Sequence, residues 1–193
     1  MVSVLQWAVT YEHIPRYPTT ALATAPGSDS VAFSPDGKIL ATWGAMQEVW
    51  PNELVWLWDV AGRRRIATFT VPSGSAARDQ PPPAAVELAF SPGGKILAAW
   101  GDEERVWLWD VAGRQRIATI TSPDTESVVF SPDGSTLAGV GEGKVWLWDV
   151  AGRRHTATIT SPDTHSFALV AFSPDGKTLA TGGEGIGLWQ KPE

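Results

Sequence analysis

Four segments of this chain repeat one alternation of apolar and polar positions. Phe33-Ser34-Pro35-Asp36-Gly37 returns as Phe90-Ser91-Pro92-Gly93-Gly94, and again at residues 130–134 and 172–176. In phase with it, Val55-Trp56-Leu57-Trp58-Asp59 recurs at residues 106–110 and 145–149, then degrades to Ile186-Gly187-Leu188-Trp189-Gln190. The steps from Phe33 to Phe90, to Phe130 and to Phe172 are 57, 40 and 42 residues. One insertion, Val71 to Ala85, with Pro72, Pro81, Pro82 and Pro83, accounts for the long first step. Without it the period is about 40 residues, in the range of repeat architectures.

Each unit is predicted to be a set of short strands joined by tight turns. Ser-Pro-Asp-Gly is turn chemistry, because Pro presets φ, Asp bonds nearby backbone and Gly accepts positive φ. It follows an apolar strand such as Ser127 to Phe130 and precedes a second, such as Ser135 to Gly139. In the third strand, alternation puts Val145 and Leu147 on one face and Trp146 and Trp148 on the other. Both faces are thus apolar, as a sheet packed between two neighbouring sheets requires. Asp149 to Arg153 turns the chain, and Thr156-Ala157-Thr158-Ile159-Thr160, rich in β-branched residues, supplies a fourth strand. Four strands in about 40 residues, with no helical period, predict an all-β fold: a β-propeller of four four-stranded antiparallel blades.

At these residues the chain resembles the WD-repeat β-propeller family. The pairs Trp58-Asp59, Trp109-Asp110 and Trp148-Asp149 match the dipeptide that names the family, and Trp189 keeps the aromatic half of a fourth. The resemblance covers roughly residues 20–190. It departs from the family where Ser122-Pro123-Asp124-Thr125 and Ser161-Pro162-Asp163-Thr164 stand in place of the usual Gly-His. Glu103 and Glu142 replace the turn Asp, and the family's Ser/Thr survives only as Thr42 and Thr181. The buried His–Asp–Ser/Thr–Trp network that the family implies is therefore expected to be missing, with extra Trp packing, such as Trp43 and Trp100, in its place.

The organisation expected is an N-terminal extension or decayed blade over 1–19, then a repeat domain over 20–193. Its repeats span about 20–62, 63–113, 114–152 and 153–190, with the Pro-rich insertion at 71–85 in the second. Thr20 to Thr24 aligns with the fourth-strand segment Arg116 to Ile120, so it is expected to complete the last blade, as ring closure in the family implies. Closure within one chain needs about 90° per blade, whereas two chains closing each other need about 45°. A head-to-tail homodimer forming an eight-bladed ring is therefore one expectation, and a fragment of a larger propeller is the other.

Composition narrows the partners. A net charge of −6 and a pI near 5.1 give no general attraction for a phosphate backbone, so no nucleic acid is expected. Eleven Trp residues in 193 need broad apolar surfaces to pack on, which stacked blades provide. The absence of cysteine removes disulfides, thiolate nucleophiles and Cys-ligated zinc. The N-terminal residues do not read as a signal peptide, and no apolar run approaches the roughly 18 residues of a membrane span. A cytoplasmic protein without membrane contact is expected.

Candidate chemistry is sparse. His13, His155 and His165 stand in unrelated contexts without metal-ligand spacing. The Ser and Asp residues fall in repeated turns that structure already explains. Gly139-Val140-Gly141-Glu142-Gly143-Lys144 lacks the following helix that a phosphate loop needs. No cofactor, metal or catalytic residue is expected, and no enzyme. Two surfaces are candidates for interaction. One is the set of loops joining blade to blade, carrying Asp124, Glu126, Asp163, His165 and the insertion. The other is the basic run after each Trp-Asp turn: Arg63-Arg64-Arg65, Arg114 with Arg116, and Arg153-Arg154-His155. The resemblance implies a non-catalytic protein-interaction scaffold. A lectin-like or small-ligand propeller with one pocket per blade is the second reading, and a truncated propeller with no independent function the third. Near-identity of units two to four points to recent duplication.

Overall fold

A computed structural model describes residues 30–45, 52–72, 87–101, 105–122, 125–141, 143–160 and 167–190. Within them the chain is all-β, built as four antiparallel meanders. The first is β1 (Ser30–Phe33), β2 (Ile39–Ala45), β3 (Asn52–Asp59) and β4 (Arg64–Pro72). The second is β5 (Glu87–Phe90), β6 (Ile96–Gly101), β7 (Arg105–Asp110) and β8 (Gln115–Thr121). The third is β9 (Ser127–Phe130), β10 (Thr136–Gly141), β11 (Lys144–Asp149) and β12 (Arg154–Thr160). The fourth has three strands, β13 (Phe167–Phe172), β14 (Thr178–Gly183) and β15 (Ile186–Gln190). Thr20 to Thr24, expected to complete it, lies outside the described residues, as does the 1–19 extension. Val71 and Pro72, the first residues of the expected insertion, continue β4 and pair with Glu53 and Asn52, and 73–85 lie outside the described residues.

Local chemistry sets these elements. In the Ser-Pro-Asp-Gly turns the Ser34 hydroxyl donates to Asp36 Oδ1 at 2.7 Å and accepts from the Ile39 N–H at 2.9 Å. Gly37 closes the turn at φ 70°, and Gly94, Gly134 and Gly176 do the same at 68°, 72° and 70°. The outer strand of each four-stranded meander is bulged. Leu57 pairs with Ala67 but Trp58 pairs with Arg65, and the register shifts at Leu108/Trp109 and Leu147/Trp148 in the same way. A bulge frees a ladder carbonyl; in the third meander the Thr156 hydroxyl donates to Leu147 O at 2.9 Å.

The meanders stack as blades, first on second, second on third, third on fourth, chiefly through the short inner strands β1, β5, β9 and β13. Each blade has a trailing face, which meets the next blade, and a leading face, which meets the one before. Ala41, Trp43, Val55, Leu57 and Phe69 on the trailing face of blade one pack against Leu88, Leu97, Trp107 and Trp109 on the leading face of blade two. The same residue types meet between blades two and three, and a smaller cluster joins three to four. The turns are in register as well, with Pro35 reaching Gly94, Pro92 reaching Gly134 and Pro132 reaching Gly176.

The hydrogen-bond network expected to be missing survives in part. Trp58 Nε1 donates to Thr42 Oγ1 at 3.0 Å, buried, and Trp189 Nε1 donates to Thr181 Oγ1 at 3.4 Å. In blades two and three the threonine position holds Ala99 and Gly139. Trp43 and Trp100 are buried as expected, yet their indole N–H groups, like that of Trp56, have no hydrogen-bond partner among the described residues. Packing there replaces apolar contact but not the lost polar pairing.

Candidate interaction surface

The Trp-Asp motif divides its labour between core and turn. Trp58, Trp109 and Trp148 are buried against neighbouring blades, while Trp189 is half-buried. Each following aspartate turns back on the hairpin it begins. Asp59 accepts from the Gly62 N–H at 3.1 Å, Asp110 from Gly113 at 3.0 Å, and Asp149 from Ala151 and Gly152 at 3.1 Å each. Glycine beside the carboxylate gives space and does not serve φ: a Cβ at residue 152 would lie 2.5 Å from Asp149 Oδ2, and one at residue 62 would lie 2.6 Å from Asp59 Oδ2, so the carboxylate would have to shift.

The next residue bears the backbone strain. Arg63, Arg114 and Arg153 sit at φ 49°, 52° and 54°, the non-glycine residues with positive φ among those described. All three are exposed at the hairpin tips. Left-handed backbone costs an L-residue with a Cβ roughly 1–2 kcal/mol. Arg64 and Arg154, one position on, lean back to Asp59 and Asp149 with Nε–Oδ2 distances of 3.8 Å. These exposed ion pairs contribute little, and they leave Arg63 and Arg153 pointing from the tips without an ion pair among the described residues.

The Ser-Pro-Asp-Gly turns stand at the same end of each sheet, because in a meander the first and third connections share an end. Backbone bonds tie the two rows together: Val60 N–H to Lys38 O, Val111 N–H to Lys95 O, and Val150 N–H to Ser135 O, each 2.9 Å. This end therefore gathers Lys38, Lys95, Lys177, Arg63, Arg64, Arg65, Arg114, Arg116, Arg153 and Arg154 against the six aspartates of the two turn rows, a basic surplus of four. The whole chain is at −6, so the remainder has an acidic surplus of ten. The carboxyls of Asp36 and Asp175 are held below their ordinary range, first by the Ser34 and Ser173 hydroxyls and then by the Lys38 and Lys177 backbone N–H groups. They stay ionised and interleave negative charge among the basic tips.

The three lysines were absent from the sequence-based candidates. The signal for them was topological, since the Ser-Pro-Asp-Gly and Trp-Asp turns must leave the same end of an antiparallel meander. Of the other candidate surface, Glu126 is exposed and its N–H donates to Val140 O at 2.8 Å. Beside it, the Ser122 and Thr125 hydroxyls are hydrogen-bonded to each other. Asp124, Asp163, His165 and insertion residues 73–85 lie outside the described residues.

A cleft of about 1270 Å³ opens between blades three and four, walled by Leu147 and Ile159 on one side and Phe172 and Trp189 on the other. Leu147 and Ile159 are half-exposed there, whereas Leu108 and Ile120, their equivalents in blade two, are buried. The sheet facing them has three described strands instead of four. Among the described residues no group of three or more His, Cys, Asp or Glu could hold a metal ion. Nor is any helix there long and apolar enough to cross a membrane.

Comparison with known proteins agrees with this geometry. Residues 115–149, the stretch from β8 to β11, match the family model described as WD domain, G-beta repeat. The chain is also similar to Pre-mRNA-processing factor 19 homolog 2 of Arabidopsis thaliana, with 34% identity over 108 residues. That match takes in 56% of this chain and 18% of the relative, so the chain spans a minor part of the relative's length. With four in-phase blades, each built on the same two turns and three of them closed by Trp-Asp, the chain is similar to WD-repeat proteins, and its stretch 115–149 matches the WD repeat itself.

Proposed function

We propose that the chain is a non-catalytic protein-interaction scaffold that docks an acidic segment of a partner protein across its basic row of hairpin tips. The observation that carries this is the trio Arg63, Arg114 and Arg153. Each is exposed and held at positive φ, where glycine or asparagine would sit at lower cost. Strain kept at equivalent surface positions is a reason to look for function there. Guanidinium groups suit carboxylates, which they bind through paired N–H donors. The interleaved aspartates oppose a continuous phosphate chain and favour a segment of separated carboxylates. The similarity to a pre-mRNA-processing factor supports the scaffold class and names no partner for this chain. The cytoplasm is the compartment we propose, on the sequence reading.

The small-ligand reading requires an equivalent pocket in every blade. The cleft between blades three and four is walled by the degenerate last repeat, with Gly187 and Gln190 where other blades have Trp and Asp. It is not a repeated site, so we do not adopt that reading.

The test is fluorescence anisotropy with a labelled ten-residue oligo-glutamate peptide at low and high salt. We expect saturable binding at about 0.05 M salt that weakens steeply towards 0.5 M, as screening of exposed charge demands. The triple variant Arg63→Gly, Arg114→Gly, Arg153→Gly relaxes the backbone while removing the three charges, and it should bind at least tenfold more weakly. Equal binding by that variant, or no binding by the parent at low salt, would overturn the proposal.

A further inference from the structure

The two ends of the blade stack expose what its interior buries. On the trailing face of blade four, Ile186 and Leu188 are 88% and 71% exposed. Their register equivalents Val55, Val106 and Val145, and Leu57 and Leu108, are all 0% exposed beneath the following blade. Leu169 on the same face is also exposed. At the other end, Val31 and Phe33 on the leading face of blade one are 63% and 60% exposed. Their equivalents Leu88 and Phe90, Val128 and Phe130, and Val170 and Phe172 are buried or half-buried against the preceding blade. Trp56 and Trp58, also on the leading face of blade one, are buried, so the open part of that face lies on the inner strand β1. Inner strands are where consecutive blades meet. These five are the large exposed apolar side chains among the described residues, and all stand on the two end faces.

We infer that the trailing face of blade four receives the leading face of blade one from a second copy of this chain. The occupant follows from the stack itself. At each internal junction a trailing Val/Leu pair on the third strand packs with a leading Leu/Phe or Val/Phe pair on the inner strand of the next blade. Ile186 with Leu188 is such a trailing pair, and Val31 with Phe33 is such a leading pair. The new junction continues an interface that the chain already makes three times. The two end faces are different surfaces, so the contact is head-to-tail and not face-to-same-face. Within one copy they do not meet, since both pairs remain open. Clusters of large exposed side chains of this kind mark association surfaces.

The experiment measures absolute mass by light scattering across a concentration series, with near-UV circular dichroism confirming that each sample is folded. The parent chain should show at least twice 20.7 kDa, and a folded monomer at every concentration would overturn the inference. Two variants then test polarity, one blocking the leading face (Val31→Asp with Phe33→Asp) and one blocking the trailing face (Ile186→Asp with Leu188→Asp). Each alone should be monomeric, because each lacks one half of every junction. Mixed in equal amounts they should form a mass of two chains, joined by the one junction with both halves intact. If either variant alone keeps the parent mass, or the mixture stays monomeric, the head-to-tail contact is wrong. Loss of oligo-glutamate binding with the mass unchanged would bear on the basic tips alone, so the two proposals fail separately.

Discussion

The Asp149 turn allows the hairpin chemistry to be tested quantitatively. Its carboxylate accepts two backbone hydrogen bonds, from Ala151 and Gly152 at 3.1 Å, and faces Arg154 at 3.8 Å. Removing a side-chain acceptor that satisfies turn N–H groups costs about 1–2 kcal/mol, as at helix caps. The Arg154 side chain is 74% exposed, so the ion pair adds no more than about 0.3 kcal/mol after screening. Asp149→Ala should therefore cost about 1–2 kcal/mol and Asp149→Asn, which keeps an acceptor oxygen, less than about 0.5 kcal/mol.

Gly152→Ala should cost about as much as Asp149→Ala, because its Cβ would stand 2.5 Å from Oδ2 and 3.1 Å from Cγ, displacing the carboxylate from both N–H groups. The two changes destroy the same interaction. In the Asp149→Ala background, Gly152→Ala should cost nothing, and the coupling energy from the double-mutant cycle should be about 1 kcal/mol or more. Urea unfolding followed by tryptophan fluorescence measures all four proteins, and each kcal/mol also moves the thermal midpoint by about 2–4 °C at this size. Additive costs would refute the shared cap. So would equal losses for Asn and Ala at residue 149 that shrink in high salt, since charge would then outweigh the backbone hydrogen bonds.

Two further outcomes follow from other contacts. Thr42→Val removes the acceptor of the buried Trp58 N–H with little change in shape, and should cost about 1–3 kcal/mol; Thr181→Val, at a longer and partly exposed bond, should cost less than about 1 kcal/mol in the same unfolding assay. Asp36 and Asp175 have carboxyls depressed in the folded state, so their contribution is complete above the ordinary aspartate range and is lost as pH falls through the depressed values. The doubly substituted Asp36→Asn, Asp175→Asn protein should therefore lose less stability than the parent between neutral pH and about pH 3, measured by urea midpoints.

The blade pattern was legible because strand alternation and turn chemistry act over a few residues. Val145 and Leu147 were placed on one face and Trp146 and Trp148 on the other, and the interblade clusters divide along that alternation. The Asp-to-Gly cap was not anticipated, although Asp149 and Gly152 are only three residues apart. The positive φ of this turn falls on Arg153, while Gly152 makes room for a carboxylate. The Thr42–Trp58 bond was underestimated for a different reason. It spans 16 residues and depends on the register of β2 against β3, which motif positions taken one at a time do not convey. The basic surface was seen as a run of arginines, while its lysines emerge only once two kinds of turn are known to share one end.

The sequence by itself determined the strands, the turns, the apolar character of both blade faces and the position of Arg63, Arg114 and Arg153 after each Trp-Asp pair. These depend on side-chain period and local backbone preference, which neighbours in the chain decide. Only the tertiary structure decided which of several equivalent faces is covered. Val55 and Ile186 occupy the same place in the same strand pattern, yet one is sealed under the next blade and the other faces solvent. Burial belongs to whatever stands across the interface, and a repeat cannot write that into its own residues.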